Sequence, residues 1–462
     1  MTEKICRNII GISPLPLPKL KGLGSTFFEQ MLEYKNKIAH TDAATGRTET
    51  YKCILQKSIR TSLAMRSMGI QPNDVITICS DTNMDCFIPF YASFFVGAIS
   101  ANIVPNLPLS DVIHLMKLVS PKIIFVIPKA IKLMKDAIRE LNMKTKIVVF
   151  GETNKYTRFS EFLLPQPEEY KFVPYEITNL RETAVIVFSS GSTGLPKAVC
   201  LSHYGLAGKM HQINNTGLLL FKTSLLAYAN LYWVSAVEIT VSCMKHGTNR
   251  LISSRYHPLE VWDIIKKYKV GGLLLSSFHL VEMCKTGRPK EADTSTLRTV
   301  RYGGAPTSKE QNIHFRSCFP NVVMQNVLGL TEASGIVTTF DPSNLKDLEL
   351  MGKNPHSIGR TLPGYSHKIV ALDAEEILGP NQEGELRVKS DFMMNGYYQM
   401  DSSESWDSDG FLKTGDVAYY DEDNCFFIVN RIKELLKYQT WHISPANLEA
   451  ILLMHPAVDN CI

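Results

Sequence analysis

The sequence has no marked surplus of charge of either sign. Its 462 residues carry 49 Lys and Arg against 45 Asp and Glu, a formal net charge of +4, and the basic residues do not form runs. A nucleic acid or an anionic membrane is therefore not expected as the main partner, because such partners require a concentrated basic surface. An anionic small ligand remains compatible with this composition, because it needs only a local site.

The sequence also lacks cysteine pairs at metal-ligand spacing, as well as internal repeats and low-complexity segments. The N-terminus MTEKICRNII has too few apolar residues for a signal peptide, and the last residues DNCI do not match a peroxisomal Ser-Lys-Leu signal. The wide spacing of the cysteines predicts reduced, mostly buried thiols in an intracellular protein. The ten cysteines are Cys6, Cys53, Cys79, Cys86, Cys200, Cys243, Cys284, Cys318, Cys425 and Cys461.

One apolar run is long enough to raise the question of a membrane span. It is FIPFYASFFVGAISANIV, residues 87–104, which contains Pro89 and directly follows the polar stretch SDTNMDC. We therefore predict a buried helix that enters a short strand.

Helical periodicity and short β-branched runs alternate between about residues 51 and 326. Leu55, Ile59 and Leu63 recur every four residues, which places them on one helix face. Further helices are predicted for HPLEVWDIIKKYK and SKEQNIHFRSCF, and strands for VITIC (75–79), IIFVI (123–127), AVIVF (184–188), GGLLL (271–275) and VVMQNV (322–327). This alternation is typical of an α/β fold with doubly wound parallel sheets, whose ligands bind at the carboxyl ends of strands.

The amino-acid composition changes after about residue 345, where Gly and Pro become frequent. We predict a small β-rich unit at 345–429, with the hairpin AYYDEDNCFFIV turning at DEDN. The rest contains one convincing helix, SPANLEAILLMH, with Ser444 as its N-cap, and is too short for a stable core of its own.

A loop rich in Gly, Ser and Thr follows the predicted strand AVIVF. It reads SSGSTGLPK at 189–197, and it is not a Walker A motif, because Pro196 precedes Lys197 and Ala198 follows it. Its glycines let the backbone approach a ligand, while its hydroxyls and Lys197 suit phosphate. A polar surface turn between two strands is the alternative interpretation.

This loop and the motifs that follow resemble those of the adenylate-forming superfamily, which includes acyl-CoA synthetases, coumarate-CoA ligases and firefly luciferases. The stretch DVAYYDEDNCFFIVNRIKELLKYQ is similar to the insect luciferase-like acyl-CoA synthetase branch, and the resemblance extends from about Gly24 to the last residue. The motifs stand in the family's order and spacing: SGSTGLPK, GGAP (303–306), LGLTE (328–332), GELRV (384–388), MNGYY (394–398), FLKTGD (411–416) and NRIKELLKY (430–438).

The resemblance implies a domain organisation. An adenylation domain would occupy 1–429, with two doubly wound sheets and a β-barrel-like subdomain at 345–429, followed by a hinge at 430–434. An incomplete C-terminal α/β domain would begin at 435 and stop at Ile462, before the family's lysine that bridges the acyl carboxylate and the α-phosphate. We expect impaired catalysis without that cation, which acts mainly in the transition state. The alternative is that the chain is a fragment of a longer enzyme.

The resemblance also implies a reaction. A carboxylic acid and ATP would give an acyl adenylate and pyrophosphate with the help of Mg²⁺, and coenzyme A would then give acyl-CoA and AMP. Thr331 would contact phosphate and Glu332 would help to hold Mg²⁺, although taken alone the two could equally be a helix N-cap region. The β- and γ-phosphates would be held by Ser189, Ser190, Gly191, Ser192, Thr193, Gly194 and Lys197.

Other positions are implied to bind adenosine, the acid and CoA. The adenine strip would be Gly303, Gly304 and Ala305, and Asp416 would bind the ribose hydroxyls, although a Gly-Asp pair alone is usually a turn. Trp233 would gate the acid site beside Gly304, or it is a core Trp on a helix. Lys437 matches the lysine implicated in thioester formation. The remaining nucleotide positions are Leu328, Gly329 and Arg431.

The sequence departs from the family at several positions. Leu328 stands where the family has an aromatic residue that stacks on adenine. Without this stacking, the free energy of nucleotide binding should be weaker by about 1 kcal/mol. Ala198 replaces a Gly, Asn430 replaces an Asp beside the retained Lys433, and Thr440 replaces a Gly near the pantetheine tunnel. Pocket positions suggest an apolar acid, fatty or aromatic. Two rivals stay open: a non-catalytic acyl- or nucleotide-binding protein, and a luciferase. The resemblance implies a peroxisomal location, and otherwise we expect a cytoplasmic one.

Overall fold

The computed structural model describes residues 8–189, 195–214, 223–434, 436–438, 441–443 and 458. Its strands form sheets of seven, nine, five and two strands, and helices connect many of the strands in the two larger sheets. The predicted α/β class is confirmed.

The seven-stranded sheet contains the strand that leads into the phosphate loop. Its order is β10-β9-β5-β4-β6-β7-β8, and its strands run parallel except for the antiparallel pair β9 and β10. Each predicted strand of this sheet is confirmed. Its strands are β4 (Val75–Cys79), β5 (Ile99–Ala101), β6 (Ile123–Val126), β7 (Lys146–Val149), β8 (Thr157–Arg158), β9 (Thr183–Ser189) and β10 (Lys197–Ser202).

The nine-stranded sheet joins distant parts of the chain. Its order is β17-β16-β15-β14-β13-β11-β12-β2-β3, with a parallel centre from β15 to β2. Thr41 on β2 donates to Asn249 Oδ1 on β12 at 3.0 Å, across 208 residues of chain. Its strands are β2 (Ile38–Asp42), β3 (Thr48–Thr50), β11 (Ser224–Ala227), β12 (Asn249–Ile252), β13 (Gly272–Ser276), β14 (Thr299–Gly303), β15 (Val323–Leu330), β16 (Gly335–Thr339) and β17 (Arg360–Thr361).

A five-stranded antiparallel sheet accounts for the predicted strand-rich region, and its order is β1-β18-β19-β20-β21. The predicted hairpin is present as β20 and β21. The strands are β1 (Ile10–Gly11), β18 (Tyr365–Val370), β19 (Gly384–Ser390), β20 (Leu412–Tyr420) and β21 (Phe426–Arg431), and a separate pair is formed by β22 (Leu436–Tyr438) and β23 (Trp441–Ile443).

Helices pack against these sheets. The apolar run at 87–104 forms the ten-residue helix α3, all of it buried, followed by β5, as predicted. None of the described helices is long and apolar enough to cross a membrane. The helices are α1 (Leu23–Glu33), α2 (Tyr51–Ser67), α3 (Phe87–Val96), α4 (Leu109–Val119), α5 (Ile131–Glu140), α6 (Phe159–Phe162), α7 (His203–Asn214), α8 (Val234–His246), α9 (Pro258–Tyr268), α10 (Ser277–Thr286), α11 (Lys309–Cys318) and α12 (Leu345–Lys353).

One sequence prediction is only partly correct, and another concerns residues that the structure does not describe. The stretch predicted as β-rich opens with helix α12, whose N-cap Asn344 accepts hydrogen bonds from Lys346 N and Asp347 N. The predicted helix at 444–455 lies outside the described residues. Among the described cysteines, Cys53 is partly exposed and the others are buried, in agreement with the prediction.

Candidate functional site

The hairpin β9–β10 holds both ends of the Gly/Ser/Thr loop. Ser189 at the carboxyl end of β9 pairs with Lys197 at the start of β10, so the connecting loop begins and ends at one place on the sheet. His114 Nε2 on α4 lies 2.9 Å from Pro196 O, at the second end of the loop. Ser190, Gly191, Ser192, Thr193 and Gly194 lie outside the described residues, and their roles stay predictions.

A carboxylate from another sheet meets this hairpin. Glu332 lies in a 3₁₀ turn, Thr331–Ala333, between β15 and β16. Its Oε1 accepts a hydrogen bond from Ser189 Oγ at 3.0 Å and a longer one from the Tyr397 hydroxyl at 3.4 Å. Lys197 Nζ lies 4.6 Å from the centroid of the Tyr397 ring. We refer to Ser189, Lys197, Glu332 and Tyr397 as the Glu332 cluster.

Tyr397 is a site residue that the sequence analysis did not assign, although its motif MNGYY was noted. The segment 395–398 runs along β10, with Tyr398 N donating to Ala198 O at 2.7 Å and Cys200 N donating to Gly396 O at 3.0 Å. Burial raises the pKa of the Tyr397 phenol, and the nearby negative charge of Glu332 raises it further. The phenol therefore stays a hydrogen-bond donor at neutral pH.

The glycine strip Gly303–Ala305 lies at the carboxyl end of β14. Gly303 pairs with Val327 of β15, and a Cβ at Gly303 would lie 2.5 Å from Val327 O, so a side chain does not fit. Gly304 has φ +93° and faces open space, which leaves its backbone accessible to a flat ligand. Leu328 on β15 is partly buried against the core.

Asp416 and Arg431 form an ion pair across the hairpin β20–β21. Arg431 Nε lies 2.7 Å from Asp416 Oδ1, with 54% of the Arg431 side chain and 4% of the Asp416 side chain exposed. Gly415 has φ +71°, yet Asp416 itself lies within β20. The interpretation of Gly-Asp as a simple turn is therefore wrong.

Trp233 is not a core residue. It is 56% exposed and immediately precedes α8. Its ring packs edge-on against Tyr232 at 5.1 Å, and Tyr232 stacks on Phe188 of β9 at 6.2 Å. This places Trp233 next to the strand that leads into the loop, and its gating role stays a prediction.

The hinge positions are only partly described. Asn430 is buried in β21 and Lys433 is exposed. Lys437 lies on β22, for which the structure describes the backbone, and Thr440 is outside the described residues. The role of Lys437 in thioester formation stays a prediction.

The Glu332 cluster contains one carboxylate that could bind a magnesium ion, that of Glu332. Within the described ranges no group of three or more His, Cys, Asp or Glu side chains has metal-binding geometry. Glu332 is partly accessible and projects toward the hydroxyls of the Glu332 cluster. A single carboxylate fits Mg²⁺ when substrate phosphates supply further oxygen ligands.

Comparisons with known proteins point to one family. A sequence model of the family described as AMP-binding enzyme matches residues 27–398. The luciferase-like enzyme from the nonluminescent mealworm Zophobas morio superposes with a TM-score of 0.87 at 34% identity, covering 93% of this chain and 100% of that chain. Luciferin 4-monooxygenase of Photinus pyralis is 29% identical over 91% of this chain and 77% of its own length. 4-Coumarate–CoA ligase 1 of Petroselinum crispum is 28% identical over 98% of this chain and 84% of its own length.

Proposed function

The chain belongs to the family of AMP-binding enzymes, and we propose that it is an acid–thiol ligase of the acyl-CoA synthetase type. It would activate a carboxylic acid with ATP as an acyl adenylate and then transfer the acyl group to coenzyme A. The similarity to 4-coumarate–CoA ligase 1 of Petroselinum crispum supports both half-reactions.

One observation supports this proposal most directly. Ser189 and Lys197, which pair in the hairpin β9–β10, lie together with Glu332 at the carboxyl end of β9, although Glu332 follows Ser189 by 143 residues. Parallel α/β sheets bind their ligands at this edge. A hydroxyl, a cation and a carboxylate suited to Mg²⁺ are the groups that a departing pyrophosphate requires.

In the first half-reaction the acid's carboxylate attacks the α-phosphorus of ATP, and the bond to pyrophosphate breaks. Lys197 would neutralise the charge that develops on the leaving group, and Ser189 would donate to a phosphate oxygen. Glu332, with Thr331 beside it, would hold Mg²⁺, which supplies charge neutralisation when bound. Asp416 would accept hydrogen bonds from the ribose hydroxyls, while Gly303, Gly304 and Ala305 would lie against adenine.

In the second half-reaction the CoA thiol attacks the acyl carbonyl and AMP leaves. Lys437 is proposed to assist this step, and Trp233 is proposed to close the acid site. An apolar acid, fatty or aromatic, is the substrate class proposed from the sequence.

The test is isotope exchange between ATP and pyrophosphate with a panel of fatty and aromatic acids, followed by detection of acyl-CoA. We expect acid-dependent exchange that a Lys197→Ala variant loses. Exchange no greater than that of the variant, with every acid, would favour the non-catalytic binding protein.

The similarity to luciferin 4-monooxygenase favours a second candidate, oxidation of the adenylate. Light emission with luciferin, ATP and oxygen would support it. Darkness alongside thioester formation would reject it.

A further inference from the structure

The first half of α8 has one partly accessible face. Val234, Ser235 and Glu238 are its partly exposed residues, whereas the remaining positions from Ala236 to Met244 are buried. The accessible positions follow an i, i+1, i+4 pattern and therefore share one side of the helix. Exposed Trp233 immediately precedes this face. The face is thus partly accessible and adjoins Trp233, the residue proposed to close the acid site, and Glu238 is its single charged residue.

Glu238 reaches the segment that carries the Glu332 cluster. Its Oε2 accepts a hydrogen bond from Ile336 N at 3.2 Å. Gly335 has φ +119°, and a Cβ there would collide with the same oxygen, so this glycine leaves room for the carboxylate. Glu238 therefore lies against the start of β16, directly after the turn that contains Thr331 and Glu332.

Two buried cations accompany Glu238. Lys209 on α7 donates to Tyr365 Oη at 3.0 Å, to Ala333 O at 3.5 Å and to Ile336 O. These three hydrogen bonds use all three protons of the Lys209 ammonium group. Burial lowers the pKa of Lys209 to about 8, and the negative charge of Glu238 opposes that shift. Burial also lowers the pKa of Arg301 on β14, again opposed by Glu238. The carboxylate is thus part of a charged group built into an otherwise apolar interior.

One atom of this group has no hydrogen-bond partner among the described residues. Glu238 Oε1 is shielded from solvent and accepts no hydrogen bond from any described residue. A shielded acceptor without a donor is unfavourable, and a ligand that brings a donor relieves this. A ligand that brings a second carboxylate would instead place like charges together.

From this geometry we propose that Glu238 selects carboxylic acids whose tail carries a hydrogen-bond donor, a hydroxyl or an amine. The Glu238 side chain is itself partly accessible, and a rotation that carries Oε1 toward the accessible face of α8 would let this oxygen accept that donor. Five helical residues separate Glu238 from Trp233, a rise of about 7.5 Å, so the donor stands at the far end of an acid of medium length. The assignment rests on the proposed function, because it takes the space beside α8 as the acid site.

The test compares four acids of equal chain length: octanoate, its ω-hydroxy derivative, its ω-amino derivative and octanedioate. Dissociation constants are measured by titration calorimetry, and exchange between ATP and pyrophosphate is measured in parallel. The wild-type chain should bind the hydroxy and amino acids about tenfold more tightly than octanoate, the range of a hydrogen bond to a charged group. Octanedioate should bind most weakly.

Two variants separate a direct contact from a structural effect. Glu238→Met should remove the preference for both donors. Glu238→Gln should keep the hydroxyl preference and lose the amine preference, because the amide accepts a hydrogen bond but carries no charge. Glu140→Gln, at the exposed end of α5, is the matched control and should bind like the wild type. Circular dichroism and thermal midpoints establish that each variant is folded.

The proposal is overturned if the wild type prefers octanoate or octanedioate, if Glu238→Met keeps the donor preference, or if none of the four acids binds. Failure of the proposed function has a different signature: no exchange with any acid, even where calorimetry detects binding. A donor preference in calorimetry without exchange would support the role of Glu238 and reject the ligase.

Discussion

At the Glu332 cluster, partly accessible polar side chains from three segments converge. Glu332 Oε1 lies 3.0 Å from Ser189 Oγ and 3.4 Å from the Tyr397 hydroxyl, and Lys197 Nζ lies 4.6 Å from the centroid of the Tyr397 ring. The region proposed to bind adenosine is built in the opposite way. There the glycine strip offers bare backbone, and Asp416 is held by Arg431 within a single hairpin. The first region places charge where charge would develop during the reaction, and the second provides shape and a fixed acceptor. Substitutions in the first should therefore change turnover, and those in the second should change nucleotide affinity.

Lys197→Ala should give the largest effect. The loss of a cation that acts on the leaving group should lower kcat for ATP–pyrophosphate exchange by about 10²- to 10³-fold, by analogy with removal of one transition-state donor. Steady-state kinetics measure this, with Lys132→Ala on the exposed face of α5 as the control. An unchanged kcat would remove the distinction between the two regions.

Asp416→Ala should act on affinity. The loss of a buried acceptor proposed for the ribose hydroxyls should raise KM for ATP by about 10- to 100-fold, with a smaller change in kcat. Asp373→Ala, in an exposed turn of the same sheet, is the control. A fall in kcat at constant KM would assign Asp416 to the reacting end instead.

Leu328→Tyr should strengthen the adenosine side. An aromatic ring at this position should lower KM for ATP by about fivefold, if stacking contributes about 1 kcal/mol. Leu328→Met changes the side chain without adding a ring and should leave KM unchanged. Equal KM values in the two variants would argue against adenine at the glycine strip.

Tyr397→Phe should give the smallest effect. It removes the 3.4 Å hydrogen bond to Glu332 and keeps the ring near Lys197, so kcat should fall by about threefold. The Mg²⁺ concentration at half-maximal rate should shift with it, because Glu332 loses one of its donors. Tyr397→Leu also removes the ring and should reduce kcat further. If the two variants are equal, the contact between Lys197 and the ring contributes nothing.

The sequence predicted β9 and β15 at the site because AVIVF and VVMQNV are short apolar runs that contain β-branched residues. β9, for example, extends AVIVF by one residue on each side, with the loop at its carboxyl end. It did not predict Tyr397 or Glu238, because their contacts span 65 and 98 residues and depend on how three elements pack. A signal was present in each case: a phenol after a glycine in a noted motif, and one charge in the apolar stretch VSAVEITV.

Helix α12 was missed for a different reason. The rise in Gly and Pro after residue 345 favoured strands and turns, and that composition outweighed a local signal. Asn344 is a good N-cap, and the nine residues that follow contain no proline. Composition averaged over a long window hid one short element.

The pairing of β2 with β12 bears on how the chain is made. Asn249, the partner of Thr41, is synthesised 208 residues later. A ribosome needs roughly 10 to 40 s for this stretch at 5–20 residues per second. Throughout that interval the edge of β2 that later receives β12 has no native partner. The nascent chain therefore exposes an unpaired strand edge during synthesis, a point at which a chaperone can protect it from aggregation.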